Sequence, residues 1–115
     1  MPIVAIALPI LPGQLDAWRA FCQEMQGPRR AEFEASRRRL GVTRELAFHQ
    51  PTPQGDLAII VIETEDPQRF AQGFGASDQP FDRWQQERVR EIHGIDPAQV
   101  AAGPLPSPAF AWPAP

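Results

Sequence analysis

Two runs of alternating side chains, Thr43 to His49 and Leu57 to Thr64, flank the break Pro51-Thr52-Pro53-Gln54-Gly55-Asp56. Successive residues of a strand point to opposite faces, so Leu46 and Phe48 share one face while Glu45, Ala47 and His49 share the other. The pattern predicts a β-hairpin spanning 42–65. Its apolar pair is the face expected against the core. The other face, a carboxylate and an imidazole on either side of a small alanine, reads either as a polar edge-strand face in solvent or at a dimer seam, or as the wall of a cavity.

Ile3 to Ile10 is apolar on both faces, with Val4, Ile6, Leu8 and Ile10 opposite Ile3, Ala5 and Ala7, as in a central strand. Leu15, Trp18, Cys22 and Met25 then recur at helical spacing. Gly27-Pro28 breaks that helix, and a second segment runs to about Leu40, with Phe33 and Leu40 as anchors and Gly41 as its stop. Arg29, Arg30, Arg37, Arg38 and Arg39 lie in this segment against Glu32 and Glu34. They read as a solvated face with short-range ion pairs; the other reading is an anion-steering patch at a pocket mouth.

After the hairpin, Asp66-Pro67 caps a short helix carrying Phe70 and Phe74. Ser77-Asp78-Gln79-Pro80 starts another, whose inner face holds Phe81, Trp84, Val89 and Ile92, with Arg88 on the same side. Asp96-Pro97 caps one more turn to about Ala102. From about residue 103 the tail is rich in proline and alanine. Its one extended piece, Pro108 to Trp112, predicts an edge strand, where proline is tolerated.

The resulting order is strand, helix, strand, strand, helix, strand. It predicts an α+β, ferredoxin-like βαββαβ domain over residues 1–115, with a four-stranded antiparallel sheet and helices on one face. Leu46, Phe48, Trp18, Met25, Phe70, Phe74, Phe81 and Ile92 are its expected core. A sheet covered on one side leaves apolar residues of the first and third strands open, which predicts a two-fold homodimer.

Composition narrows the function classes. A net charge of −3 disfavours nucleic acid as a partner, and 43% hydrophobic with 22% charged residues is ordinary for a soluble domain. All 11 basic residues are arginine, and Lys, Asn and Tyr are absent, a bias expected of a GC-rich genome. The longest apolar run, Ile3 to Leu11, is about half the ~20 residues of a membrane span, so no membrane association and a cytoplasmic location are expected. Cys22 is alone, which excludes an internal disulfide, and it reads as a small buried hydrophobe.

The runs Ser36-Arg37-Arg38-Arg39-Leu40-Gly41-Val42-Thr43-Arg44-Glu45, Gln50 to Asp56 and Ser77-Asp78-Gln79-Pro80-Phe81-Asp82-Arg83-Trp84 resemble an uncharacterised bacterial family. That family groups with the ferredoxin-like, dimeric α+β-barrel proteins, and the likeness extends over about residues 3 to 112. The wider superfamily includes cofactor-free monooxygenases, isomerases, lyases and haem-binding members. The resemblance implies the fold and the dimer rather than a reaction. Gln79 stands where such proteins often carry a histidine, so no imidazole chemistry transfers to that position.

The motifs of metal, nucleophile and phosphate sites are missing. His49 and His93 are the two histidines, no H-E-x-x-H or G-x-S-x-G occurs, and Gly73-Phe74-Gly75 follows a helix rather than a strand. What remains is a pocket between sheet and helices, holding a small apolar or aromatic ligand without metal or organic cofactor. His49 and Glu45 are the candidate catalytic residues, about 13 Å apart along a strand and so placed to flank one substrate. Trp84, Arg88 and Glu63 are the candidate ligand-binding residues. The alternatives are a non-catalytic dimeric module and a weak haem binder with His49 as axial ligand.

Overall fold

A computed structural model describes residues 2–113. Three strands, β1 (Ile3–Ile10), β2 (Val42–Thr52) and β3 (Gly55–Thr64), form one antiparallel sheet in the order β1-β3-β2. Five helices are described: α1 (Leu15–Gln26) and α2 (Arg30–Arg39) between β1 and β2, then α3 (Pro67–Ala76), α4 (Pro80–His93) and α5 (Pro97–Ala102) after β3. Both helical regions are therefore broken, as Gly27-Pro28 and Ser77-Asp78-Gln79-Pro80 imply.

The fourth strand does not form, so the domain is α+β but not the four-stranded ferredoxin-like sheet. Residues 108–112 contain no strand, and Phe110 and Trp112 are 89% and 90% exposed. The reason lies in the backbone. Pro104, Pro106, Pro108 and Pro113 each lack the N–H that a ladder needs, which leaves too few donors to pair along an edge.

Local chemistry sets the element ends. Asp66 accepts a hydrogen bond from the Arg69 N–H at 3.1 Å, and Asp96 from the Ala98 N–H at 3.0 Å, each followed by a proline at the first helical position. Gly94 ends α4 at φ +68°, a left-handed conformation costly for any residue with a Cβ. The hairpin closes on Pro53-Gln54, with the Thr52 hydroxyl donating to the Gly55 carbonyl at 2.7 Å.

Register decides which side of the sheet is covered. Val4, Ile6, Leu8 and Ile10 of β1 and Ala58, Ile60 and Ile62 of β3 lie under the helices. The core has two clusters on this side. One joins Ile10, Trp18, Phe21, Ala58 and Ile92; the other joins Val4, Ile62 and Phe70. Trp18, Phe70, Phe81 and Ile92 are buried, and Met25 and Phe74 pack against the clusters.

Leu46 and Phe48 do not join this core. They are 39% and 51% exposed on the opposite face, with Ile3 at 52%. The alternation along β2 is as its sequence implies, but the face carrying Glu45, Ala47 and His49 turns toward the helices.

Candidate functional site

The two core clusters do not close on each other. Between them lies a cavity of about 140 Å³, walled by Ile6 and Ile60 of the sheet, Trp18 and Phe21 of α1, and Phe70 and Phe74 of α3. Ala47, exposed on the edge strand β2, also lines it, so the cavity meets the surface there. A second depression of about 390 Å³ is lined in part by the charged residues Arg39, Glu65, Asp66 and Arg69.

Polar groups enter the first cavity at two places. On one wall, Arg37 of α2 donates from Nε to Glu45 Oε1 at 2.7 Å and from Nη2 to Glu45 Oε2 at 3.4 Å. Its Nη1 donates to Gln85 Oε1 at 2.8 Å and to Ser36 Oγ at 3.2 Å. The guanidinium also lies over the Phe33 ring at 4.6 Å, which suits a planar cation of low hydration. Arg37 is 8% exposed. Its charge is tolerated there because Glu45 cancels it and most of its N–H groups are engaged.

Behind this wall a second ion pair anchors α2 to α4. Asp82, fully buried, accepts from the Ser36 and Ser77 hydroxyls, each at 2.5 Å, and from Arg39. Burial pushes the Asp82 carboxyl up, but the hydrogen bonds from Ser36, Ser77 and Arg39 and the guanidinium charge together bring it below its ordinary value. Gln86 donates to the carbonyls of Phe74 and Ser77 at 2.8 and 3.0 Å, holding the end of α3.

At the other end of the cavity sits His93, 3% exposed. Its Nδ1 lies 2.7 Å from the Pro9 carbonyl, an acceptor only, so Nδ1 carries the proton and donates. Burial holds this imidazole below its ordinary pKa, opposed in part by the Pro9 hydrogen bond, so the neutral ring is favoured. Gln85, Val89 and His93 form a single stripe of α4 along the cavity at i, i+4 and i+8. Cys22 also lines it, and burial pushes its thiol up.

The candidate residues read from the sequence are separated by this arrangement. Glu45 reaches the cavity, but both carboxylate oxygens already accept from Arg37. His49 lies toward the hairpin end, where its Nε2 is 2.8 Å from Asp56 Oδ1 and its ring 6.0 Å from that of Trp18. Trp84 packs between Phe21 and Phe81, with the Arg29 guanidinium 4.4 Å from its ring. Arg88 pairs with Glu91 at 2.7 Å. Glu63 accepts from the Thr43 hydroxyl at 2.9 Å and points to the open side of the sheet. Of these five residues, only Glu45 is a lining residue.

With Glu45, the residues Arg37, Gln85 and His93 carry the polar character of the cavity; none of these three is among the site residues expected from the sequence, where Arg37 reads as part of a solvated face or of an anion-steering patch at a pocket mouth. A signal was present. Phe33, Arg37 and Leu40 stand at i, i+4 and i+7, which puts an arginine on the anchoring stripe of α2 rather than its solvated face. Phe81, Gln85 and Val89 share one side of α4 at i, i+4 and i+8.

Among the described residues no group of three His, Cys, Asp or Glu side chains is placed to hold a metal, and no helix is long and apolar enough to cross a membrane. Comparison of the chain with models of protein families, with curated proteins and with solved structures found no match.

Proposed function

We propose that this protein binds a small apolar molecule in the cavity between its sheet and helices. The observation that supports the reading is the cavity itself, about 140 Å³ bounded chiefly by aliphatic and aromatic side chains. Engineered apolar cavities of about 150 Å³ take up benzene, so one six-membered ring is the matching size. A porphyrin is far larger, and His49 is already engaged by Asp56, so haem is disfavoured. Catalysis by Glu45 and His49 is disfavoured too, since the two do not meet at the cavity and each has its own partner. The binding reading calls for no metal or organic cofactor.

The test is titration of the protein with toluene, followed by calorimetry and by methyl chemical shifts. Saturable binding that perturbs Val89 and Ile60, and that is lost in the cavity-filling variant Val89→Phe, is expected. Absence of any perturbation at toluene saturation would overturn the reading.

A second copy of the chain is the proposed partner. Ile3, Leu46 and Phe48 are exposed together with the small side chains Ala5 and Ala7 on one sheet face, and an apolar face of this kind is normally covered. Sedimentation velocity should give about twice the 12.8 kDa chain mass, and Phe48→Glu should return it to the monomer. A monomer at micromolar concentration in the unmodified protein would remove the proposal.

A further inference from the structure

We propose that the cavity selects neutral phenols, with His93 as the acceptor of the phenolic hydroxyl; this rests on the binding reading above. His93 lines the cavity and spends its Nδ1 proton on the Pro9 carbonyl. In the neutral ring the lone pair is then on Nε2, and no hydrogen bond to Nε2 is found among the described residues. Nor is that atom sealed among protein atoms. Among the described residues, Arg88 Nε is the one buried side-chain nitrogen or oxygen with neither a hydrogen bond nor open space beside it. His93 is 3% exposed and its residue borders the cavity, so the open space beside Nε2 is assigned to the cavity.

An acceptor that opens only onto the cavity is best satisfied by a ligand that brings a donor. The surrounding walls set the rest of the ligand. Phe21, Phe70 and Val89 offer only apolar contact, which suits a ring. Arg37 cannot serve an anionic ligand, because Glu45 already matches its charge and a carboxylate would enter the cavity as a surplus buried ion. At the Arg37 end, Gln85 Nε2 donates to the Met25 sulfur at 2.9 Å, a weak acceptor. A ligand oxygen at that end would take this proton in place of the thioether. A neutral ring with a hydroxyl directed to His93 meets the conditions set by the imidazole, the apolar walls and the Arg37–Glu45 pair, and leaves the Gln85 bond to Met25 in place.

Phenol and toluene are nearly the same shape, so their comparison isolates the hydroxyl. In an apolar cavity without an acceptor, phenol loses its water hydrogen bonds and binds at least tenfold more weakly than toluene. With His93 as acceptor, phenol should bind as tightly as toluene or more tightly, and benzoate at neutral pH should not compete. His93→Leu should weaken phenol about tenfold while changing toluene less than threefold. Should that variant fail to fold, the Nε2 ¹⁵N resonance of the unmodified protein decides: it should shift on adding phenol and stay in place on adding toluene. Toluene binding with phenol at least tenfold weaker, or an Nε2 resonance that phenol leaves unmoved, overturns the assignment to His93 and leaves the cavity reading intact. Failure of both toluene and phenol to bind overturns the two together.

Discussion

Replacing Arg37 by methionine tests whether the polar wall is held by charge pairing rather than by packing alone. Methionine keeps most of the side-chain length over Phe33 and removes the four hydrogen bonds from the guanidinium to Glu45, Gln85 and Ser36. Ser36 keeps its bond to Asp82, so the main loss is a carboxylate without its cation and a Gln85 oxygen without its donor. Breaking a buried pair from one side costs about 3–5 kcal/mol. The two side chains here are 10% and 17% exposed, so water reaches the stranded carboxylate in part and the expected cost lies at the lower end, about 3 kcal/mol. Removing both charges as Arg37→Met/Glu45→Leu should recover most of it, since a pair exchanged for apolar groups is close to neutral, within about 1 kcal/mol of the parent. Urea unfolding with linear extrapolation measures all three proteins. Arg38→Met is the control: Arg38 is 78% exposed and, among the described residues, pairs with Glu34 alone, so it should change stability by less than about 0.5 kcal/mol. A cost under about 1 kcal/mol for Arg37→Met, or a double variant no more stable than the single one, would refute the argument.

Three further outcomes are expected. Asp82, depressed below its ordinary value of 3.8 when folded, gives its full stabilisation above that pH and loses it as pH falls below, because the unfolded carboxyl takes the proton first; Asp82→Asn should flatten that acid limb in pH-dependent urea melts. His93, depressed below 6.5, should likewise leave stability full above pH 6.5 and declining beneath it, a slope that His93→Leu abolishes. Gly94→Ala should lower stability by about 1–2 kcal/mol, read by thermal unfolding, since φ is +68° and the added Cβ would stand 3.1 Å from Leu11 Cδ1.

Much of the fold was legible in local signals. Gly27-Pro28, Asp66-Pro67, Pro80 and Asp96-Pro97 mark helix boundaries because capping and proline geometry act within a few residues. The hairpin follows from two alternating runs around Pro53-Gln54-Gly55. The fourth strand was misread because Phe110 and Trp112 alternate as a strand would, whereas pairing depends on backbone donors that the prolines between residues 104 and 113 remove. The His49 partner was also within reach. In the hairpin register His49 faces Ala58, which puts Asp56 two residues along on the same face.

The orientation of β2 could not be read from β2 itself. Its alternation offers a face with Leu46 and Phe48 and a face with Glu45, Ala47 and His49, and burial of apolar surface alone would send the first inward. Glu45 is covered because Arg37, eight residues earlier on α2, brings it a buried cation, and that cation is in turn acceptable because Gln85 of α4 accepts from it. With Glu45 and the small Ala47 facing the helices instead of Leu46 and Phe48, the layer beneath them lacks the volume to fill the gap between the two core clusters. The cavity and the exposed apolar sheet face are then two consequences of one pairing. A sequence reading that places the arginines of α2 in solvent loses both at once.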